Sequence, residues 1–203
     1  MKLLQIALCA LLATSPALAQ EPQRIRGLLT QVDANTATVR TTDGRTLRLT
    51  LSAQTTIFGL SKASYTEIDF GVYVGSVSER MGDDIYSPIV RDSLSWLHRG
   101  LELRIIDEKL RGIAVGHTKW DLTRESVMTH GWVDDQEDRV ISIKFGPTEQ
   151  EETDVEISPQ TPVYRMFIGD RALLRPGAGV VVGVQKGAAL FIFVGKDGVV
   201  PAL

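Results

Sequence analysis

The sequence has little of the chemistry on which most enzymes and metal proteins depend. Its 203 residues contain one cysteine, three histidines and only 6% aromatic residues. The cysteine, Cys9, lies in an N-terminal segment that we expect to be removed, so the mature chain has no disulfide, thiol nucleophile or thiolate ligand. A chain without disulfides must rest on its hydrophobic core, which about 180 residues can supply.

The chain also lacks a basic excess and a long apolar run. It carries 22 basic and 25 acidic residues, a formal net charge of −3, whereas nucleic-acid binding usually needs a basic face. Its N-terminal apolar run is about ten residues long, well short of the roughly twenty that cross a bilayer. We therefore expect no nucleic-acid partner and no transmembrane segment in the mature protein.

The N-terminus has the pattern of a secretory signal peptide. Lys2 precedes the apolar run Leu3–Leu12, and Ala17 and Ala19 supply the small residues that a signal peptidase recognises. We expect cleavage after Ala19, so that residues 1–19 are a signal peptide and the mature protein is periplasmic.

The rest of the chain contains one unit twice. The segment Leu51–Phe58 and the segment Ile157–Tyr164 share the pattern apolar-Ser-x-Gln-Thr-x-(Ile/Val)-aromatic. An internal repeat of this kind indicates two copies of one structural unit. The positions that carry the repeat signature are Gln54, Thr55 and Gly71 in the first copy and Gln160, Thr161 and Gly177 in the second.

Within each copy apolar residues alternate with polar ones, which is the pattern of a β-strand. We predict strands near residues 25–33, 36–42, 45–51, 72–79 and 99–106, and again near 129–135, 139–145, 152–157, 178–185 and 188–195. A short helical turn is predicted after each third strand, within 61–69 and 169–175. This order is that of an OB-fold, although a β-sandwich or an open meander has the same strand count.

The predicted fold class is therefore all-β: two tandem five-stranded OB-like small barrels after a cleaved signal peptide. The first OB-like domain spans residues 20–106, a linker spans 107–128, and the second OB-like domain spans 129–203. The linker has no counterpart in the repeat.

These motifs resemble the exported bacterial proteins built on domains of unknown function of the DUF5666 type. The resemblance covers both copies and is carried by the Gln-Thr-x-(Ile/Val) segment and the glycine before each fourth strand. A narrower likeness lies in the linker, in Gly116-His117 and Trp120-Asp121-Leu122. The resemblance implies a tandem OB-like fold and export from the cytoplasm, but no activity.

The linker also supplies the candidate metal ligands. His117 and Asp121 are four residues apart and are weak candidates for a shared metal or ligand, with Trp120 as a stacking surface. Alternatively, Trp120 packs between the barrels and Asp121 caps a turn. A zinc site built from His98, His117 and His130 would not have a known ligand spacing. The acidic run at 134–138 lacks the glycine and glutamate of a calcium loop and is better interpreted as a hairpin turn.

No catalytic motif is present: the sequence has no nucleophile elbow, phosphate loop, His-Glu-x-x-His or dinucleotide fingerprint. We therefore predict a periplasmic non-catalytic binding or interaction module, not an enzyme and without a cofactor, whose partner is an unidentified envelope protein or small ligand. The alternative is a periplasmic metal-binding or metal-delivery protein that uses His117 and Asp121.

Overall fold

The computed structural model describes residues 22–81, 97–148 and 151–201. Within these ranges the protein is built from β-strands and short 3₁₀ turns, so the all-β prediction is confirmed. The predicted signal cleavage site at Ala17 and Ala19 lies outside the described residues.

The first half of the chain contributes six strands and the second half seven. The strands of the first half are β1 (Gln23–Val32), β2 (Thr36–Thr41), β3 (Thr46–Thr50), β4 (Thr56–Lys62), β5 (Tyr73–Arg80) and β6 (Leu97–Ile106). Those of the second half are β7 (Gly116–Lys119), β8 (Ser126–Glu137), β9 (Val140–Phe145), β10 (Glu151–Glu156), β11 (Val163–Ile168), β12 (Gly179–Gln185) and β13 (Ala188–Gly195). The 3₁₀ turns are Tyr65–Glu67, Glu108–Leu110 and Arg171–Leu173.

Ten of these strands lie where the alternating pattern predicted them, and a helical turn follows in each predicted segment. The sequence did not predict β4, β7 and β11. In β4 the residues Ile57–Leu60 are all buried, because both faces of the strand are covered. A strand buried on both faces has a continuous apolar run instead of alternation, so the pattern of period two does not reveal it.

The strands form one 13-stranded sheet in which the two halves of the chain are interleaved. We call β1, β2, β3, β12 and β13 the first ring, because β1 pairs with β12 and β13 closes the circuit on β3 at Ala188 and Thr50. We call β5, β6, β8, β9 and β10 the second ring, which the parallel pair β6 and β10 closes. Each ring therefore takes three strands from one half of the chain and two from the other.

This pairing corrects the prediction of two separate tandem barrels. Domains at 20–106 and 129–203 would each pair their first strand with their own fourth strand. Instead β1 pairs with β12, and β8 pairs with β5. The two arrangements have the same strand sequence within each repeat, so the repeat alone does not distinguish them.

Strands β4 and β11 join the rings across a pseudo-twofold axis. They pair with each other antiparallel, and Leu60 lies directly opposite Met166. Those two residues are 106 positions apart, the spacing of the sequence repeat, so each is the other's counterpart. An antiparallel pair whose centre joins equivalent residues is what a twofold axis between the halves requires.

The hydrophobic core has separate parts inside each ring and a further part between them. Leu29, Val39, Val182 and Ile192 are among the residues that fill the first ring. Val74, Leu103, Ile141, Ile143 and Val155 are among those that fill the second ring. Phe58, Leu60, Tyr73, Ile106 and Met166 form the part between the rings, against which Phe191 and Phe193 pack. The outer faces of the strands that meet there are thus buried as well as the inner ones.

Candidate functional site

The residues of the repeat signature hold the turn before β4 and its counterpart before β11. The hydroxyl Oγ1 of Thr55 donates to the carbonyl of Ala189 at 2.8 Å, and that of Thr161 donates to the carbonyl of Gly100 at 3.0 Å. In both cases the accepting strand belongs to the other half of the chain. The backbone N–H of Gln54 donates to the hydroxyl of Ser52, and Gln160 repeats this bond to Ser158.

Gly71 and Gly177 precede β5 and β12 in the same way in both halves. Their φ angles are 76° and 90°, a region in which glycine is not strained. Each N–H donates across to the other half, Gly71 to the carbonyl of Val133 at 2.8 Å and Gly177 to that of Leu29 at 2.7 Å. Each of these glycines therefore starts the strand that crosses to the opposite ring.

The linker residues Trp120 and Asp121 are docked on β1. The guanidinium of Arg26 donates to both carboxylate oxygens of Asp121, at 2.5 and 3.2 Å, and Nη1 of Arg24 lies 3.7 Å from the same carboxylate. Trp120 is buried, with the guanidinium carbon of Arg24 3.9 Å from its ring centroid. The Asp121 carboxylate is thus engaged by two arginines.

His117 has different neighbours. It lies on β7, which pairs with the edge of β8 so that His117 is opposite Thr129. Its Nδ1 lies 2.9 Å from the hydroxyl of Thr129, its ring stacks on Phe145 at 5.4 Å, and its centroid is 5.7 Å from that of His98. The structure therefore associates His117 with His98, whereas Asp121 is held by arginines of β1.

We call the group formed around these two imidazoles the histidine mouth. Nδ1 of His98 lies 3.1 Å from the hydroxyl of Ser78, which repeats the contact between His117 and Thr129. Ser76 lies opposite Thr129 in the sheet, on the face that points into the second ring. The histidine mouth consists of Ser76, Ser78, His98, His117, Thr129 and Phe145.

The hydroxyls of the histidine mouth are buried. Ser76, Ser78 and Thr129 have no exposed surface. Within the described part of the chain, Oγ of Ser76 has no hydrogen-bond partner. A buried polar group without a partner costs about 1–3 kcal/mol, so this hydroxyl destabilises the fold unless something else bonds to it.

Both imidazoles are electrically neutral at pH 7. Burial lowers the pKa of His98, and the nearby His117 and Arg80 lower it further. Burial also lowers the pKa of His117, against an opposing effect of Glu151. A neutral imidazole has one donor and one acceptor nitrogen, so the histidine mouth offers both kinds of hydrogen bond without a net charge.

The first ring has apolar residues at the equivalent positions. In the first ring Val182 pairs with Ile25, and in the second ring Ser76 pairs with Thr129. These two pairs occupy equivalent positions in the two rings. Two residues further along β12, Val184 takes the place of Ser78. Val182, Val184 and Ile25 are buried in the core of the first ring. The fold thus accommodates aliphatic side chains at these positions, and only the second ring has hydroxyls there.

The third histidine of the proposed zinc set lies on the opposite face of β8. His130 follows Thr129 directly and lies opposite Gly75 of β5. Burial and the neighbouring Arg104 lower the pKa of His130 to about 4. Among the residues that the structure describes, no group of three or more histidines, cysteines or carboxylates is placed to hold a metal ion.

A buried ion pair escaped the sequence analysis. Nε of Arg104 donates to Glu102, and both side chains are almost completely buried between the rings. The guanidinium of Arg104 lies over Phe193, with its carbon 4.7 Å from the ring centroid. The alternation in β6 places Glu102 and Arg104 on the face opposite Leu103, which in a separate barrel would be the solvent face.

The fold clarifies one further prediction and shows one surface depression. The acidic run 134–138 forms the end of β8 and the turn to β9, where Asp138 and Arg139 have φ angles of 44° and 69°, and Asp134 forms an ion pair with Lys144 at 2.7 Å. The C-terminal segment lines a depression of about 370 Å³ between Arg175 and Val200. Four glycines line it, and its charged side chains are on the surface.

No protein-family model, curated protein or solved structure matches the chain. In the ranges 22–81, 97–148 and 151–201 there is no helix with the length and hydropathy of a membrane span.

Proposed function

We propose that the protein is an exported, periplasmic, non-catalytic binding module, and that its ligand site is the histidine mouth. The N-terminal signal pattern supports export. The five strands of each ring support an OB-like barrel of composite origin, in keeping with the resemblance to the DUF5666 type. The ligand is a small neutral molecule with hydroxyl or amide groups, because the site combines neutral imidazoles, hydroxyls and an aromatic ring.

The observation that carries this proposal is the buried, unpartnered hydroxyl of Ser76, which lies opposite Thr129, the residue that contacts His117. Valine occupies the same position in the other ring, so the fold itself does not require a hydroxyl there. A ligand that accepts or donates a hydrogen bond at Ser76 removes the cost of the orphaned group.

The test uses the mature chain, residues 20–203, and N-acetylglucosamine, which carries both hydroxyl and amide groups. Long-range ¹H–¹⁵N spectra resolve the ring nitrogens of the three histidines. We expect saturable shifts at His98 and His117 and none at His130, which lies on the other face of β8. The absence of saturable shifts with N-acetylglucosamine, glucose and acetamide would contradict a neutral-ligand site.

Ser76→Ala and Ser126→Ala are matched variants for the same experiment. Both serines are fully buried, but Ser126 accepts from the backbone N–H of Thr123 at 2.9 Å and donates to its carbonyl at 3.1 Å. We expect Ser76→Ala to abolish the shifts and leave stability equal or higher. Ser126→Ala should keep the shifts and lose about 1 kcal/mol of stability, measured by urea unfolding.

A second candidate function is metal binding. Its ligands would be His117 and His98, which are neighbours, instead of the predicted pair His117 and Asp121. Both imidazoles have Nδ1 against a hydroxyl, an arrangement that orients the other ring nitrogen for a metal. Calorimetric titration with Zn²⁺, Cu²⁺ and Ni²⁺ tests it. Metal binding that is lost in His98→Ala but kept in Asp121→Asn would favour this function, and no heat from any metal would eliminate it.

A further inference from the structure

The first ring has a small cleft at the end that corresponds to the histidine mouth. Its walls are formed by the N-terminal part of β1 and the hairpin between β2 and β3, and its volume is about 140 Å³. We call it the arginine cleft. The side chains that matter here are Arg24, Ile25, Arg26, Thr41, Asp43 and Arg45.

The charge of this cleft is opposite to that of the whole chain. The residues that line it include three arginines, Arg24, Arg26 and Arg45, and one aspartate, Asp43, which pairs with Arg45 at 2.7 Å. The formal charge of the full sequence is −3. A local excess of positive charge in an acidic protein attracts anions to one place on its surface.

Two of these arginines are held in place before any ligand binds. Arg26 is fixed by the carboxylate of Asp121 at 2.5 Å, and its side chain is only 12% exposed. Arg24 is fixed against the ring of Trp120 at 3.9 Å, and its side chain is 21% exposed. A guanidinium that is already ordered loses less entropy when it binds an anion.

Both arginines also have donors that are not used. Within the described residues, Nε of Arg24 and Nε of Arg26 are buried and make no hydrogen bond. A buried charged donor without an acceptor is costly. An anion in the cleft is the simplest acceptor, because Asp121 is engaged by other nitrogens of the same two groups.

The arginines are a property of the first ring and not of the repeat. Ile25 of β1 corresponds to Thr129 of β8, because Ile25 pairs with Val182 and Thr129 pairs with Ser76, the equivalent residue. Met128 and His130 therefore take the places of Arg24 and Arg26 in the second ring. These two positions of the second ring lie on the face of β8 opposite the histidine mouth, so the arginines of the first ring have no counterpart in that mouth.

We propose that the arginine cleft binds a small oxyanion, a carboxylate or a phosphate, in competition with the internal carboxylate of Asp121. Both anions match the planar fork of a guanidinium. The cleft has the volume of a few water molecules at about 30 Å³ each, which suits one anionic group and not a drug-sized ligand. This inference is independent of the neutral-ligand site in the second ring.

The test follows the arginine Nε–H resonances of the mature chain in ¹H–¹⁵N spectra. Inorganic phosphate and sodium acetate are titrated separately, with sodium chloride at the same ionic strength as the reference. We expect saturable shifts at Arg24 and Arg26 with a dissociation constant of about 1 mM or below. The comparison of the two titrations identifies which oxyanion is preferred.

Variants distinguish a specific anion-binding site from non-specific attraction of anions to positive charge. Arg26→Gln and Arg45→Gln should each weaken binding about tenfold, whereas Arg48→Gln is the control, because Arg48 lies on β3 outside the cleft and its side chain is 71% exposed. Asp121→Asn should strengthen binding, since it removes the competing charge while keeping the shape of the side chain.

Three results would overturn the proposal. One is the absence of saturable shifts with both phosphate and acetate. Another is an equal response to chloride at matched ionic strength, which would indicate screening alone. The third is an unchanged affinity for phosphate and acetate in Arg45→Gln. Arg45 is exposed, so its replacement should not disturb the fold. Unchanged or weaker affinity in Asp121→Asn would overturn the competing role of Asp121.

Discussion

Single residues distinguish the two rings more than their backbones do. The first ring has valine and isoleucine where the second has Ser76, Ser78 and Thr129, and it has arginine where the second has Met128 and His130. Since the equivalent positions share register, these differences do not arise from the strand pairing. They are the places where the repeat has been used for different chemistry.

At the scale of the residue, His130 should make stability depend on pH. Its pKa in the folded protein is about 4, against 6.5 for the free side chain. Between these values the unfolded state binds a proton that the folded state does not, so the free energy of unfolding falls as the pH is lowered. The contribution is complete above about pH 6.5, is lost progressively down to about pH 4, and amounts to about 3 kcal/mol.

Urea unfolding of the mature chain and of His130→Gln at pH 7.5 and pH 4.5 measures this contribution. We expect the variant to show a smaller loss of stability between the two pH values than the parent chain. His117→Gln is the comparison, because His117 is exposed and should contribute less. An equal loss in the parent chain and in His130→Gln would show that carboxylates alone cause the acid sensitivity.

At the scale of the strand, the sequence predicted much of the secondary structure. Alternation located ten strands, and the glycines before β5 and β12 were recognised from the repeat. Local pattern did not reveal β4, whose residues Ile57–Leu60 are buried on both faces, and it did not reveal β7 or β11. The alternation in β6 places Glu102 and Arg104 on the face opposite Leu103, but it does not show that the other ring covers that face and buries both side chains.

The candidate site was predicted only in part for the same reason. His117 stood out in the sequence, but Asp121, four residues away, faces Arg24 and Arg26. The relevant neighbour, His98, lies on β6, and its proximity depends on a pairing between the halves of the chain. Sequence spacing indicates a shared site only within one element, such as a helix turn, and His117 and Asp121 do not share a helix.

The close approach of β8 and β9 predicts that alanine substitution destabilises the protein much more at Gly131 than at Gly44. At Gly131 an added Cβ would lie 2.1 Å from the backbone carbonyl oxygen of Lys144, so β8 and β9 cannot keep their separation. At Gly44, in the turn between β2 and β3, nothing lies within 4 Å of an added Cβ and only the φ of 86° is unfavourable. We expect Gly131→Ala to cost more than about 3 kcal/mol and Gly44→Ala about 1 kcal/mol, by urea unfolding. Similar costs for both would contradict the close pairing of β8 with β9.

The whole molecule is a pseudo-twofold arrangement in which each half completes the other. Neither half contains a closed ring, since the strands that close it come from the partner half. The same strand exchange between two copies of a single repeat would give a symmetric dimer. The present chain has joined those copies through the linker, whose Trp120 and Asp121 are docked on β1.

This arrangement predicts that the two halves fold together or not at all. Fragments 20–112 and 113–203, produced separately, should each lack a cooperative unfolding transition, because β1–β3 and β5–β6 of the first fragment belong to different rings and their partner strands are absent. When the fragments are mixed, we expect a stable 1:1 complex with a single transition, detected by circular dichroism and analytical ultracentrifugation. Two separate tandem barrels would behave differently: each fragment would unfold cooperatively by itself, and mixing would change nothing. A homodimer of one fragment with native-like unfolding would instead show that the repeat retains the exchange without its partner, which the axis at Leu60 and Met166 permits.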